Sequence, residues 1–320
     1  MMVGMIKSNF EVLRAGINTT YQDLGRKHLY HIGIPFSGAM DKRNYYIVNS
    51  LLGNENNTPV LEFAYQGPLL RFNGKKINFA ITGDVIFNII RKNLNSEKGK
   101  CYQTYFLEEG DQIDILSTNK SVYGYLAING GFNVDLYWES SSINTKAKIG
   151  PNNGEKLING DLIFTSKLNN DVPNKKIEYS NKKIEEIRVI KGTNYNYFSD
   201  KGKKIFFNET FTVSRLTDRM GMRLEGPKIE NIVNTNIKSE GLIKGVIQVP
   251  ADGNPIIMLS DHGTIGGYPK IGVTISADYD KITQLTPGSK ITFKEVTLTE
   301  AENLFKLYNS ETQKIIKLLE

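Results

Sequence analysis

Most apolar segments of the chain are short, alternate with polar residues, and end at Gly, Asn or Asp. This is the pattern of half-buried β-strands bounded by turns. It is clearest at residues 77–82, 113–116, 123–128, 187–190, 210–213, 246–249, 256–259 and 291–294. Because such segments recur along the whole chain, the pattern predicts a mainly β protein with few helices.

Two segments have the three- and four-residue spacing of an amphipathic helix instead. The first covers residues 42–52, with Asp41 at the expected N-cap and Gly53 as the stop signal. The second is a C-terminal helix, in which Thr299 and Glu302 match a capping box. We expect this second helix to pack along the outside of the protein.

A motif of the form Leu-x-x-Gly-(Asp/Ser)-x-Ile occurs three times, beginning at Leu107, Leu157 and Leu285. Each copy has the pattern of a turn that leads into a strand, because glycine is a preferred turn residue and an apolar residue follows it. We interpret the motif as a recurring β-turn rather than as a repeat of a whole structural unit.

The chain is also predicted to form two lobes. Residues 22–26 and 217–223 are loosely similar, and each segment lies early in its half of the chain. A length of 320 residues is about two domains by the usual ratio of about 150 residues per domain. Residues 167–186 are rich in Asn and Lys and match a surface connection. We therefore predict an N-terminal lobe at residues 1–184 and a C-terminal lobe at residues 185–320.

Composition supports this interpretation and excludes several classes of protein. Hydrophobic residues make up 39% and charged residues 23%, which are globular values and argue against disorder or a coiled coil. The 29 glycines and 10 prolines favour many tight turns. The net charge of +6 is spread along the chain, and clusters such as residues 201–204 are interpreted as loop charges. Nucleic-acid binding is therefore not predicted.

The cysteine count and the apolar runs predict a cytoplasmic protein. Cys101 is the single cysteine in the sequence, so it has no partner for an internal disulfide. Charged residues interrupt the first 15 residues, so no signal peptide is expected. The longest apolar run, residues 85–90, is far shorter than the ~18 residues of a membrane-spanning helix, and no membrane role is predicted.

Several common catalytic motifs are missing from the sequence. It contains no phosphate-binding P-loop, no dinucleotide-binding Gly-x-Gly-x-x-Gly after a strand and no Gly-x-Ser-x-Gly elbow. His28, His31 and His262 lack the spacing of zinc ligands, so no metal site is predicted. These histidines are interpreted as structural or surface residues, with ligand contact left open for His28 and His31.

Two polar segments each allow a functional and a structural interpretation. Ser37 and Asp41 lie just before the first predicted helix, where backbone N–H groups can bind an anion. In the alternative, Asp41 only caps the helix and Ser37 only closes a turn. Asp218 lies among three arginines, a set that suits carboxylate or phosphate recognition or, equally, an internal network of ion pairs.

The segment after residues 256–259 is the richest in polar chemistry. It contains a carboxylate, a hydroxyl, two adjacent glycines, a phenol and an amine, in the order Asp261, Thr264, Gly266, Gly267, Tyr268 and Lys270. Such a set can bind and polarise a carbonyl group, because lysine stabilises developing negative charge and aspartate acts as a base or orienting group. The alternative is a structural Gly-Tyr-Pro turn.

Several separated motifs resemble one family. They are residues 19–26, 33–41, 61–62 with 67–68, 218–221, 239–241, 248–250 and 264–270. Together they are similar to the biotin-dependent carboxyltransferase-type family, which includes allophanate hydrolase subunit 2 and the C subunit of 5-oxoprolinase. The resemblance runs in order from about residue 10 to about residue 295.

This resemblance implies a fold, partners and an activity. The fold would be two cyclophilin-like β-barrel lobes. The partners would be a B subunit, with which the active cleft is shared, and an A subunit. The complex would hydrolyse the small molecule 5-oxoproline to glutamate with ATP, because a five-membered lactam is a poor electrophile until it is activated. Which of the subunits holds ATP stays open.

The resemblance also implies site residues. The expected catalytic residues are Asp218, Arg219, Asp261 and Lys270, and the expected substrate-binding residues are Ser37, Asp41, Gln248, Thr264, Gly266, Gly267 and Tyr268. In this interpretation Lys270 and Arg219 clamp an anion, and Asp261 or Asp218 acts as acid, base or orienting group. Tyr268 and Gln248 position the substrate through hydrogen bonds.

Alternative functions stay open because the chain departs from the family pattern at Ala251, His262 and Gly263. One is carboxyl transfer with carboxybiotin, or action on a urea-derived substrate as allophanate hydrolase subunit 2; biotin is then expected to arrive on another protein. Another is a non-catalytic antagonist of a histidine-kinase inhibitor that resembles the B subunit. A third is a metabolite-binding barrel that acts alone.

Overall fold

A computed structural model describes residues 8–166, 174–180 and 183–319 of the chain. In these residues the structure is mainly β with four α-helices, which confirms the predicted fold class. The described residues belong to two compact units. The first draws on Met1–Gly25, Lys42–Asn181 and Gln313–Glu320, and the second on Arg26–Asp41 and Lys182–Thr312.

The first unit contains eleven strands among its described residues and one α-helix, α1 (Lys42–Leu51). In chain order the strands are β1 (Asn9–Arg14), β2 (Asn18–Gln22), β3 (Val60–Ala64), β4 (Leu69–Asn73), β5 (Lys76–Thr82), β6 (Val85–Ile90), β7 (Ser96–Lys98), β8 (Thr104–Glu108), β9 (Gln112–Thr118), β10 (Tyr123–Ile128) and β11 (Leu162–Phe164). A short 3-10 helix covers Asn152–Gly154.

These strands form two antiparallel sheets. One has the order β11-β1-β4-β9-β6-β7 and the other the order β2-β3-β10-β5-β8. Side chains from both sheets, including Phe10, Phe72, Phe79, Phe87 and Leu126, fill one hydrophobic core. Alternate residues of β6 are buried, as a strand with one face on the core requires.

The second unit contains nine strands and three α-helices among its described residues. The strands are β12 (Glu186–Lys191), β13 (Phe211–Val213), β14 (Gly221–Glu225), β15 (Glu240–Gly241), β16 (Val246–Gln248), β17 (Ile256–Met258), β18 (Ile265–Gly266), β19 (Lys270–Thr274) and β20 (Lys290–Glu295). The helices are α2 (Asp200–Asn208), α3 (Ser276–Thr283) and α4 (Leu298–Lys317), of which the residues up to Thr312 belong to this unit. Short 3-10 helices cover Tyr30–Ile32 and Tyr195–Tyr197.

Seven of these strands close into a barrel of order β12-β19-β16-β17-β14-β13-β20. The barrel is completed by parallel pairing of β20 with β12, and the other neighbours are antiparallel. Helix α2 packs on it through Phe206, whose ring stacks on Phe293 with centroids 4.4 Å apart. Helix α4 packs through Ala301 against Ile275 and Ala277. Closure leaves β15 and β18 as a separate pair beside the barrel strands.

The eight predicted strand segments are confirmed within one or two residues at each end. The glycines of the repeated motif, Gly110, Gly160 and Gly288, all adopt positive φ of 87° to 92° and lie just before strands, which confirms the turn interpretation. The first predicted helix is confirmed and ends at Leu51. The predicted surface connection at residues 167–186 lies partly outside the described residues.

The helix predictions failed in two respects. The capping box of α4 is formed by Thr297 and Glu300, which exchange hydrogen bonds at the helix start, and not by Thr299 and Glu302. Most other side chains of α4 are exposed, as expected for a helix on the outside. Helices α2 and α3 were not predicted. In the part of the chain that the structure describes, no helix is long and apolar enough to cross a membrane.

Candidate functional site

The second unit contains every predicted site residue. Seven of them fall into two groups by their contacts, and each group, with its further partners, is named after its central cation. The Arg219 cluster consists of Arg219, Asp261, Ser37, Gly38, Ser260 and Lys244. The Lys270 cluster consists of Lys270, Glu240, Asn194, Gln248, Tyr268 and Gly266.

A buried ion pair between Arg219 and Asp261 forms the centre of the first cluster. Arg219 Nε donates to Asp261 Oδ2 at 2.8 Å and Nη2 donates to Oδ1 at 3.2 Å, with side-chain exposures of 7% and 2%. Arg219 precedes β14 and Asp261 follows β17. Because these strands pair antiparallel, the two residues meet at the same end of the barrel. The guanidinium is therefore already committed to a protein carboxylate.

Arg219 also fixes the segment that contains Ser37. Its Nη2 donates to the Gly38 carbonyl at 2.8 Å, and the Ser37 N–H donates to the Ser260 carbonyl at 3.0 Å. Ser37 has a left-handed φ of 57°, an uncommon conformation for a residue with a side chain. These bonds hold a strained turn in place. Arg219 thus forms its ion pair with Asp261 rather than with Asp218, and it holds the Ser37 turn through the Gly38 carbonyl.

Lys244 joins the same cluster and was missed from the sequence. Its ammonium donates to the Ser37 carbonyl at 2.9 Å and to Ser260 Oγ at 3.1 Å, and it lies 4.4 Å from the centre of the Phe36 ring. Burial raises the pKa of the neighbouring Tyr279, whose hydroxyl lies 3.2 Å from Ser260 Oγ. Lys244 lies outside every sequence motif. Its partner Ser37 is 207 positions away in the chain, so no local pattern indicates this contact.

The Lys270 cluster presents a lysine amine beside a half-exposed carboxylate. Lys270 Nζ donates to Glu240 Oε2 at 2.7 Å, and the side chains are 4% and 44% exposed. The hydrogen bond from Lys270 lowers the pKa of Glu240. Lys270 starts β19, and its N–H donates to Asn194 Oδ1 at 3.1 Å. The ammonium of a buried lysine is thus held by a carboxylate that is partly exposed.

Gln248 and Tyr268 extend this cluster. Gln248 pairs with Lys270 across β16 and β19, and its Nε2 donates to the Tyr268 carbonyl at 3.1 Å. A methyl group on Gly266 would lie 2.7 Å from Gln248 Nε2, so glycine allows the chain to pass close to this amide. The Tyr268 side chain is partly exposed. These contacts bring Lys270, Gln248, Tyr268 and Gly266 together.

The other predicted residues have contacts outside these two central pairs. Buried Asp41 accepts a hydrogen bond from Gln284 Nε2 at 2.9 Å. Exposed Asp218 accepts from the N–H groups of Met220 and Gly221, which is a local turn interaction. The Thr264 carbonyl accepts from the Leu242 N–H at 2.9 Å. A methyl group on Gly267 would lie 3.2 Å from the Ile237 carbonyl oxygen.

Among the residues that the structure describes, no group of three or more His, Cys, Asp or Glu side chains is placed to hold a metal ion. The charged groups of the two clusters are two lysines, one arginine and two carboxylates. Such an arrangement can bind a small anion and stabilise negative charge that develops on an oxygen atom.

The model of the carboxyltransferase domain, subdomain A and B, matches residues 32–295 of the chain. The chain belongs to this carboxyltransferase domain family. The resemblance inferred from the sequence motifs is thereby confirmed, and the matched range includes every predicted site residue.

Two relatives of this carboxyltransferase domain are bacterial proteins, each named as the C subunit of 5-oxoprolinase. The chain is 32% identical to the protein of Haemophilus influenzae over 96% of this chain and 98% of that protein. It is 30% identical to the protein of Escherichia coli over 91% of this chain and 92% of that protein.

A solved structure shows the same fold inside a larger protein. The urea amidolyase of K. lactis superposes with a TM-score of 0.86 at 27% identity, and the match covers 98% of this chain. The match covers only 20% of the amidolyase chain. The relatives are thus subunits or parts of enzymes, and the carboxyltransferase domain is the part that this chain shares with them.

Proposed function

We propose that this carboxyltransferase domain protein is the C subunit of an ATP-dependent 5-oxoprolinase. With an A and a B subunit, it would convert 5-oxoproline, ATP and water to L-glutamate, ADP and phosphate. The observation that carries the proposal is the alignment with the Haemophilus influenzae C subunit, which covers 96% of this chain and 98% of that protein. The alignment with a yeast urea amidolyase covers only 17% of the amidolyase.

The chemistry of the Lys270 cluster supports the proposal. A lactam carbonyl is a poor electrophile, and its cleavage develops negative charge on the carbonyl oxygen. Lys270 supplies an ammonium that is held by Glu240 and by the strand pairing of β19. A charge that is already oriented stabilises an oxyanion more strongly than a mobile one, because no reorganisation is needed during the reaction. We assign Lys270 as the charge clamp, with Gln248 and Tyr268 as positioning groups.

The Arg219 cluster has a different role in this proposal. Arg219 is bound to Asp261 on two sides and to the Gly38 carbonyl, so it holds the Ser37 turn rather than the substrate. In the proposed complex, the B subunit would complete the cleft beside these two clusters. In this proposal ATP is a co-substrate of the complex, bound either by this chain or by the A subunit. The experiment below therefore includes the A subunit.

The test is a reconstitution in which each component is omitted in turn. The purified chain is mixed with the A and B subunits of its own organism, and ADP and glutamate are measured after 5-oxoproline is added. We expect turnover only when all three proteins are present. The same mixture is also assayed with Lys270→Met in place of the unsubstituted chain. Lys228→Ala is its matched control, because Lys228 is an exposed lysine of the same unit. A stable complex with the B subunit that never releases glutamate would contradict the proposal.

Carboxyl transfer to a urea-derived substrate is the second candidate function. It is favoured by the TM-score of 0.86 with urea amidolyase. The same reconstituted mixture is therefore also given carboxybiotin with urea, and separately allophanate. Consumption of either compound without hydrolysis of 5-oxoproline would favour this second function over the first.

A further inference from the structure

A polar cavity lies in the first unit, away from every residue of the predicted site. It has a volume of about 260 Å³. Sites that enclose a whole organic ligand usually measure roughly 300–1,000 Å³, so this cavity suits a small group or the end of a side chain. The polar residues of its lining are Tyr21, Asn133, Asp135, Asn152 and Asp161.

Main-chain hydrogen bonds join the walls of this cavity to strands of the first unit. The Asn133 N–H donates to the Phe164 carbonyl of β11 at 2.9 Å. The Leu157 N–H, in the other wall, donates to the Thr19 carbonyl of β2 at 2.9 Å. Tyr21 also belongs to β2. The lining residues are therefore positioned by the sheets and not only by their own loops.

Tyr21 brings an unpartnered hydroxyl to the cavity. Its side chain is only 6% exposed, and its ring meets Phe132 edge-on with centroids 5.9 Å apart. Within the part of the chain that the structure describes, the hydroxyl makes no hydrogen bond, yet it is not enclosed by protein atoms. Burial and the charge of Asp161 raise the pKa of Tyr21. Because polar groups this deeply buried are normally hydrogen-bonded, the partner must come from the cavity.

The repeated Leu-x-x-Gly-(Asp/Ser)-x-Ile motif shows what the Asp161 carboxylate lacks. Asp161 Oδ2 accepts from the Ile158 N–H at 2.9 Å, and Asp111 Oδ2 accepts from the Glu108 N–H at 3.1 Å at the same place in its own copy. Asp111 also pairs with Arg91 Nη1 at 2.9 Å. Among the described residues, Asp161 has no such cation. A carboxylate at this position of the motif can therefore hold a guanidinium and keep its turn bond.

The remaining polar groups of the lining are acceptors as well. The exposed Asp135 carboxylate forms no hydrogen bond or ion pair with any residue that the structure describes. Asn152 Nδ2 donates to the carbonyls of Glu155 and Lys156 at 3.3 and 3.2 Å, so its Oδ1 is left to accept. The described lining contains no Lys, Arg or His, although the chain has a net charge of +6. The cavity therefore favours a cation that carries several N–H donors.

We propose that this cavity binds a guanidinium group. A guanidinium is planar and presents five N–H donors in a fixed fork, which matches carboxylates better than the compact ammonium does. Asp161 and Asp135 would balance its charge, and Tyr21 Oη and Asn152 Oδ1 would accept the remaining N–H groups. The group has two sources, a free guanidino compound and an arginine side chain of another protein, which the experiment separates. The proposal does not depend on 5-oxoprolinase activity.

The experiment is calorimetric titration of the full chain with four probes. These are butylguanidinium, butylammonium, the blocked tripeptide acetyl-Gly-Arg-Gly-amide and Ca²⁺. We expect saturable one-to-one binding of butylguanidinium. Butylammonium carries the same charge and alkyl chain without the fork, and it should bind at least about tenfold more weakly, the usual effect of losing one hydrogen bond to a charged group.

Three variants test the lining. Asp135→Asn and Asp161→Asn should each weaken butylguanidinium binding about tenfold, and an asparagine at position 161 keeps an oxygen for the Ile158 N–H. Tyr21→Phe should weaken binding about fivefold without lowering the melting temperature, because the hydroxyl has no partner within the described residues. Glu109→Gln is the matched control, since it neutralises an exposed carboxylate outside the lining and should leave binding unchanged.

The comparison of probes separates the two sources and tests the proposal itself. If the tripeptide binds as tightly as butylguanidinium or more tightly, the occupant is a protein arginine; if it binds more weakly, the occupant is a free compound. Equal binding of butylguanidinium and butylammonium would overturn the choice of a guanidinium. Displacement of butylguanidinium by Ca²⁺ would overturn it in favour of a metal ion. Unchanged binding in both aspartate variants, or no binding of either guanidinium probe, would overturn the site.

Discussion

Arg219 and Asp261 form a two-point ion pair at the paired ends of β14 and β17, and both side chains are almost fully buried. The pair also fixes a third element, because Arg219 donates to the Gly38 carbonyl. One interaction therefore connects two barrel strands with the Ser37 turn. We therefore expect substitutions of Arg219 or Asp261 to lower the stability of the fold, and to change activity mainly as a consequence of that loss.

Asp261→Ala should destabilise the protein by about 3–5 kcal/mol, because it leaves the Arg219 guanidinium buried without its carboxylate. The free energy of unfolding in denaturant measures this loss. The exposed neighbour Asp218 serves as the control, and Asp218→Asn should change stability by less than about 1 kcal/mol. The double variant Arg219→Leu with Asp261→Leu should lose less than the sum of the two single variants. If the stability loss of the double variant equalled the sum of the two single losses, the ion pair would be contradicted.

Lys270→Met should lower the turnover of the reconstituted complex by about a hundredfold or more, as removal of one preorganised donor does in other enzymes. The binding of the B subunit should be retained, since the substitution removes a charge without changing the strand. Glu240→Gln should have a smaller effect, because the ammonium stays in place with a weaker partner. Turnover is measured as glutamate released. An equal loss in both variants would show that the pair acts structurally.

The contribution of the Lys270–Glu240 bond to stability should depend on pH. The pKa of Glu240 in the folded protein is lowered from its ordinary value of 4.5, first by the hydrogen bond from Lys270. A lowered carboxyl pKa stabilises the folded state above the ordinary value, and the contribution is lost as pH falls through the lowered value. The stability difference between the unsubstituted chain and Glu240→Gln should shrink below pH 4.5. A constant difference across that range would contradict the assignment.

The strands could be predicted from sequence because the alternation of apolar and polar residues is a local pattern. The missed helices lack such a local signal. Helix α3 buries Ala277, Asp278, Tyr279 and Ile282, so it has no polar face to reveal a helical period. Its Asp278 is accommodated by an ion pair with Arg188, 90 positions away. Helix α2 includes the lysine run that was interpreted as loop charge, and only its Ser199 cap marks its start.

The predicted site shows the same limit. Residue types and order were sufficient to select Lys270 and Tyr268, and the family resemblance added Gln248. Gln248 pairs with Lys270 across β16 and β19 and donates to the Tyr268 carbonyl. The partners that define their roles were not predictable. Glu240 lies in the family motif at residues 239–241 but was not selected as a site residue, Lys244 lies outside every motif, and the partners of both are distant in sequence. Sequence reasoning thus identified chemical groups, while the pairing of charges depends on the closure of the barrel.

The backbone of Gly192 lies so close to the backbone of Lys270 that there is no room for a side chain at position 192. A methyl group at Gly192 would lie 2.3 Å from the Lys270 carbonyl oxygen, a contact with backbone that no side-chain rotation relieves. Gly192→Ala should therefore shift the start of β19, destabilise the protein by about 1–3 kcal/mol and lower turnover. Gly241→Ala is the control, because nothing lies within 4 Å of its added methyl group. Thermal unfolding of both variants measures the effect, and similar melting temperatures would contradict the close approach.

The start of helix α4 provides a test of the corrected capping register. Thr297 Oγ1 accepts from the Glu300 N–H at 3.2 Å, and the Glu300 carboxylate accepts from the Thr297 N–H at 2.7 Å. Thr297→Ala should lower the free energy of unfolding by about 1 kcal/mol, because it removes the side-chain cap. Thr299→Ala, two residues later and inside the first turn, should have little effect. If Thr299→Ala were the more destabilising change, the helix would begin where the sequence pattern alone had placed it.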